Sequence, residues 1–405
     1  MRNLEEFYKS LESARGKATA DAVRDFTGIY TDGIYKWLAG LWDGEIGGFY
    51  YSNSARDTDG YLPDIESTAQ AIGNLEVSGI ISSPRDLPEI MQKKIIAFLQ
   101  GLQDESNGYF YHPQWKEMML ADPMRYTSRR ARDLHNAVNL LKELGAAPLY
   151  PTATERIKAT AGESEKKDIA TPEHLSSKEK FLDYLESLNI NNDSYSVGHR
   201  ISAQAIEINA AGLTDVAYEF LNSKQYDNGL WEKELSYRAS NGLMKISCGY
   251  RTLKRPFPRM EKAFRASLDI ALSDLPMNQG ITCVYNPPFT ILNLLQTMQE
   301  LGDTEGLGAA KKALYEDAPA LLYRTREKVL MYRKEDYSFS YCFTSSSSTS
   351  QGCPAAVPGS NEGDVNANSL ASGSRTRTYK ILDIDHPKIF CEDDSRKFFD
   401  LIGEN

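Results

Sequence analysis

Apolar positions along this chain recur at helical spacing. In Lys93-Lys-Ile-Ile-Ala-Phe-Leu-Gln-Gly-Leu102 and in Pro288-Phe-Thr-Ile-Leu-Asn-Leu-Leu-Gln-Thr-Met298 they fall three and four residues apart, which places them on one face of an α-helix. Signals for half-buried strands are weak throughout. The pattern predicts a mostly helical chain, and a unit repeats within it. A helix ends in a short glycine–aromatic turn, an irregular stretch follows, and another helix begins. The copies are Trp37-Leu-Ala-Gly-Leu-Trp-Asp-Gly-Glu-Ile-Gly-Gly-Phe49, Phe98-Leu-Gln-Gly-Leu-Gln-Asp-Glu-Ser-Asn-Gly-Tyr-Phe110 and Phe220-Leu-Asn-Ser-Lys-Gln-Tyr-Asp-Asn-Gly-Leu-Trp231. A degenerate fourth is Arg333-Lys-Glu-Asp-Tyr-Ser-Phe-Ser-Tyr341. Glycine can take the left-handed conformation that ends a helix, and the aromatic can fold back over the helix pair.

The helix entries recur as well. Asp64-Ile-Glu, Asp133-Leu-His and Asp364-Val-Asn each begin with Asp, which accepts hydrogen bonds from the free N–H groups of a helix start. Asn241-Gly-Leu-Met and Asn286-Pro-Pro-Phe are weaker versions, the prolines suiting a first helical turn. Two segments break the repeat. Residues 148–178 are polar and read as an exposed connection or a short surface helix. Residues 344–378 are rich in Ser, Gly and Asn and read as a mobile or functional loop lying over one end of the helices.

The Asn-Gly-aromatic turns resemble the glycine–aromatic repeats of the terpenoid cyclase and protein prenyltransferase toroid superfamily. Asp64-Ile-Glu-Ser-Thr-Ala69 also resembles the acidic Asp-x-Asp-Asp-Thr-Ala motif of class II terpenoid cyclases, with Glu66 at the middle Asp. The resemblance covers about residues 30–380. It implies an all-α fold, an α/α toroid of about five to six helical hairpins spanning residues 1–405 as one domain. Toroids of this kind also carry polysaccharide lyases and glycoside hydrolases, so the fold leaves the chemistry open.

Composition narrows the function classes. The 405 residues carry 46 basic and 56 acidic side chains, a net charge of −10, which disfavours a general nucleic-acid or anionic-membrane binder. No apolar run reaches the ~18 residues of a membrane span. The start Met1-Arg-Asn-Leu-Glu-Glu lacks a signal-peptide pattern, and the five scattered cysteines form no CxxC pair. The expectation is a cytoplasmic protein with free thiols, a processed secreted form being the alternative. Dinucleotide, P-loop, zinc-protease, EF-hand and nucleophile-elbow motifs are absent, so no cofactor or metal is implied.

In a toroid the inner helices start at one rim, so the entries bring Asp64, Glu66, Asp133, His135, Asn241, Tyr285, Asn286, Asp364 and Asn366 to one opening. The three Asp residues are also explained as helix caps. Glu66 and His135 sit where no cap is required, and His199 precedes another apolar helix. Two basic clusters, Arg125–Arg132 and Tyr250–Phe257, suit an anionic substrate, with Arg129 and Arg132 as the forked donors. Tyr and Trp side chains such as Tyr237, Tyr250 and Trp115 offer faces for stacking sugars or for packing.

The leading expectation is an enzyme that cleaves a glycosidic bond in an oligosaccharide, acidic by the charge argument. As a lyase, Arg129, Arg132 or Asn241 would neutralise a uronate carboxylate. His135, His199 or a tyrosine such as Tyr237 or Tyr250 would then move the protons. As a hydrolase, Glu66 and Asp364 would act as the carboxylate pair, with Asp133 as substitute. A terpenoid cyclase-like enzyme with Glu66 as acid and a non-catalytic repeat-type binding protein are the alternatives.

Overall fold

A computed structural model describes residues 4–123, 125–160, 172–274 and 280–403. It is 63% helical, which makes the protein all-α, and its strands are two-residue ribbons. Six helices organise the rest: α1 (Ile65–Ser78), α2 (Thr127–Glu143), α3 (Ser194–Ala203), α4 (Tyr237–Leu253), α5 (Thr282–Glu300) and α6 (Val365–Ile381). Neighbours pack side by side in the order α2, α1, α6, α5, α4, α3. They run parallel, because the contacts between them climb in step. Gln70 and Asn74 of α1 reach Asn366 and Ser369 of α6. Asn241 and Arg251 of α4 reach Asn286 and Gln296 of α5. Ser194 of α3 backs onto Gly242 of α4, and Gly198 onto Ile246. The α1–α6 contact joins residues about 300 apart in sequence and brings the first and last repeats together.

A second helical layer lies behind this row. Met260–Leu272 packs on α5, Ala318–Leu330 on α6, and Glu89–Gly101 on α2, while Lys17–Gly28 packs on Ala318–Leu330. The apolar core lies between the layers. Among the described residues no helix is long and apolar enough to cross a membrane.

All four repeat turns form small hairpins. Trp42 pairs with Phe49, Gln103 with Phe110 and Arg333 with Phe339, while in the third copy Tyr226 N–H donates to the Leu230 carbonyl at 2.8 Å. Gly47 has φ 87° and its missing side chain admits the Lys94 carbonyl, to which a Cβ would come within 2.5 Å. Gly108 likewise lies on residues 151–153, and Gly229, at φ 82°, on Lys262 and Ala263. The glycine thus serves two purposes, a left-handed turn and direct contact with the backbone of a neighbouring segment. In the degenerate fourth turn Tyr337 takes the left-handed position at φ 70°, and the contact is inverted: its ring packs on Gly33.

The helix entries are corrected in part. Asp64 and Asp364 cap α1 and α6, accepting from the N–H of Ser67 at 3.0 Å and of Ala367 at 2.7 Å. Asp133 is not an entry residue. Helix α2 begins at Thr127, and Asp133 lies inside it, where Arg129 one turn earlier is its partner. Asn241 and Asn286 also lie inside helices; α4 is capped by Ser236, and Pro287 and Pro288 fall within α5 rather than in its first turn. The polar stretch 148–178 contains a helix at Ala153–Thr160, and its residues 161–171 lie outside the described residues. The loop expected over 344–378 ends at Asp364, where α6 begins.

The outer side of α6 carries a buried cation. Arg375 lies beneath the rings of Tyr30 and Tyr379 and donates to Nε2 of His386 at 3.0 Å. Burial and the Arg375 charge push His386 down to about 4. A histidine whose folded pKa is depressed contributes stability that is present above its unfolded value near 6.5 and is lost as pH falls toward 4. Because the ring also touches solvent, the expected loss is roughly 1–2 kcal/mol. Denaturation midpoints measured from pH 7 to pH 4 should show this slope in the wild type, and His386→Gln should flatten it. An unchanged slope in the variant would remove His386 as its source.

Candidate functional site

The N-terminal ends of α1 and α2 hold a buried charge network. Arg129 is fully buried. It donates from Nε to Asp133 Oδ2 at 3.0 Å, from Nη2 to Asp133 Oδ1, and from Nη1 to Glu66 Oε2 at 2.7 Å. Arg132, half-exposed, donates from Nη1 to the other Glu66 oxygen at 2.6 Å. The loop after the fourth turn closes over this network: Ser350 Oγ donates to Glu66 Oε2 at 2.9 Å and accepts from Arg129 at 3.1 Å. Trp115 stacks at 5.2 Å from the Arg129 guanidinium and donates to the Pro354 carbonyl. His112, buried against Trp115, bonds through Nε2 to the Pro63 carbonyl at 2.8 Å. Burial holds that imidazole below its ordinary pKa and therefore neutral.

These contacts decide what the carboxylates can do. Burial pushes Glu66 up, but Arg129 and Arg132 outweigh it and hold the carboxyl below its ordinary range. Both Glu66 oxygens are committed, so the group is an ionised anchor rather than a proton donor. Burial pushes Asp133 up and Arg129 opposes it. The two guanidinium bonds require the carboxylate form. Asp364 is wholly buried, and burial pushes it up to about 6. Its oxygens accept from Ala367 and, at 3.0 Å, from the Tyr341 N–H. Asp64 is spent on Ser67. The acids expected as catalysts are thus helix caps and ion-pair anchors. Neither the hydrolase pair Glu66 and Asp364 nor a cyclase-type acid at Glu66 has a free proton-bearing oxygen in this arrangement.

Partly exposed residues spaced three, four or seven apart mark one shared face of the row: Asn241, Lys245 and Cys248 on α4, Tyr285, Phe289 and Leu292 on α5, Asn366, Leu370 and Arg377 on α6. Charge interactions reach across this face. Lys245 is held below its ordinary pKa by burial, with Arg132 of α2 adding to the effect. Its ammonium lies 5.4 Å from the ring of Tyr195 on α3. One turn on from Tyr195, His199 is held down by burial and then by Lys245, so its imidazole is neutral at pH 7. A neutral base and a phenol on α3 thus lie beside the Lys245 ammonium of α4, and the charge of Arg132 on α2 acts on that ammonium.

The other expected site residues are distributed as follows. Asn241 accepts from Asn286 at 2.8 Å, and Asn366 accepts from Gln70. Tyr285 lies under the Arg377 guanidinium. His135 is exposed and bonded to Asn139, on a wall facing Pro148 and Thr152 across a cavity of about 460 Å³. Tyr237, Tyr250 and Trp115 are corrected to core residues. Tyr237 packs under the Lys328 ammonium, Tyr250 against Trp231 and Phe257, and neither ring reaches the shared face. Sequence reasoning missed Tyr195, Phe289 and Arg377 as site residues. The readable signal was helical spacing: Asn241 and Lys245 lie four residues apart, and Asn366 and Arg377 lie eleven apart, three helical turns. Among the described residues no three His, Cys, Asp or Glu side chains gather into a metal-binding group. No protein-family model, curated protein or solved structure matches the chain.

Proposed function

We propose that the six-helix row closes into an α/α toroid whose concave face binds an acidic oligosaccharide and cleaves it by β-elimination. The grouping of His199, Tyr195 and Lys245 carries this reading. β-Elimination beside a uronate carboxylate needs a cation to neutralise that carboxylate and acidify the adjacent C–H. It also needs a base already free of its proton and a donor for the departing oxygen. Lys245 supplies the charge, His199 is the neutral base, and the Tyr195 phenol is the donor. The committed state of Asp64, Glu66, Asp133 and Asp364 supports elimination over hydrolysis, which requires two working carboxyl groups.

The test is ultraviolet absorbance of the unsaturated product during incubation with oligouronides, alongside reducing-end release. His199→Ala and Tyr195→Phe are each expected to slow product formation roughly 100-fold or more while oligouronide binding persists. Full activity in His199→Ala would eliminate it as the base. The same committed carboxylates also favour a second reading, a non-catalytic receptor for acidic glycans. Tight binding with neither signal would select it.

A further inference from the structure

Arg377 is not used by the reaction cluster, and its surroundings have the form of a separate subsite. Its guanidinium lies 4.2 Å from the Tyr285 ring centroid and 5.1 Å from that of Phe289. The nest depends on Gly373: a Cβ there would come within 2.6 Å of the Tyr285 ring and 2.8 Å of Arg377 Nη1. Arg377 has no carboxylate or hydrogen-bond partner among the described residues, and its buried Nε is unmatched. The cation is thus held against aromatic faces, at partial burial, with its donors unspent. Partial desolvation of an unpaired charge opposes folding, so an arginine in this state is better explained by a ligand than by packing. Its level is also informative. Asn241 and Asn286 are bonded across α4 and α5, so Lys245, one turn beyond Asn241, stands level with the residues around Phe289. Arg377 stands at the same level on the other side of α5. An elongated ligand at Lys245 that crosses Phe289 meets Arg377 next.

We propose that Arg377, with Tyr285 and Phe289, forms a second uronate subsite, separate from the reaction cluster. There a sugar ring stacks on Phe289 and its carboxylate takes the forked guanidinium donors. This rests on the acidic-glycan reading for the identity of the ligand.

The experiment titrates the full chain with a galacturonate tetramer, a neutral glucose tetramer and inorganic sulfate, following heat and melting temperature. The proteins are wild type, Arg377→Met, Arg377→Lys and Phe289→Ala. The galacturonate tetramer should bind wild type, and the neutral tetramer should not. Arg377→Met should weaken it at least tenfold, Phe289→Ala by several-fold, and Arg377→Lys by less than Met does. Without ligand, Arg377→Met should melt at or above the wild-type temperature, because it removes an unpaired charge. A lowered ligand-free melting temperature with unchanged affinity makes Arg377 a structural strut and overturns the proposal. If the acidic tetramer binds wild type and all variants alike, the subsite is overturned while the acidic-glycan reading survives. If it fails to bind wild type while sulfate raises the melting temperature only when Arg377 is present, the glycan assignment fails and an anion site at Arg377 stands.

Discussion

Arg129→Met is expected to cost about 3–5 kcal/mol of folding stability, or to prevent folding altogether. The substitution keeps an unbranched apolar stem and removes the guanidinium with its charge. It leaves Asp133 wholly buried and without its two guanidinium donors, and takes one donor from the almost fully buried Glu66. Neither carboxylate can reach water without opening the joint between α1 and α2, where Trp115 and the Ser350 loop also close. Arg132 keeps one bond to Glu66, so Asp133 carries most of the loss. Chemical denaturation of wild type and variant checks this, and a midpoint shift worth under 1 kcal/mol would refute it. The triple variant Arg129→Met/Glu66→Gln/Asp133→Asn should recover much of the loss, because a buried carboxamide is far less costly than an unpaired buried charge. Failure of that recovery would mean that packing against Trp115, not charge, is what Arg129 supplies.

Gly229→Ala is expected to destabilise by about 3–5 kcal/mol, the sum of a strained left-handed backbone and a steric overlap. The residue sits at φ 82°, and its added methyl would lie within 2.5 Å of the Lys262 carbonyl carbon, against helix backbone that has no rotamer to yield. Gly212→Ala is the matched control, because Gly212 has φ 71° but nothing within 4 Å of the added carbon. It should lose only the backbone component, about 1–3 kcal/mol. Thermal unfolding of the pair separates conformation from contact. Equal losses would mean that the turn's close approach to Met260–Leu272 is not tight in solution.

The turns were legible in advance because a left-handed residue next to an aromatic is a local requirement, visible wherever Asn-Gly-aromatic recurs. The caps at Asp64 and Asp364 were legible for the same reason: a helix start needs an acceptor within three residues. Asp133 was misplaced because the same Asp-aliphatic-polar triplet occurs inside α2, where a buried Arg129 one turn earlier gives Asp a different partner. Nothing local distinguishes the two settings. In the fourth turn, Tyr337 replaces glycine only because Gly33, some 300 positions away, yields the space.

The sequence by itself determined the helical class, the four-fold recurrence of the turn and two of the helix entries, because each rests on contacts within a few residues. Only the tertiary structure decided which charged groups are spent and which are available. Glu66 is an anchor because α2 places two arginines on it, and Arg377 is unspent because α5 presents rings instead of carboxylates. Whether a side chain can act depends on partners brought together from segments 60 to 300 residues apart, and helical periodicity carries no information at that range.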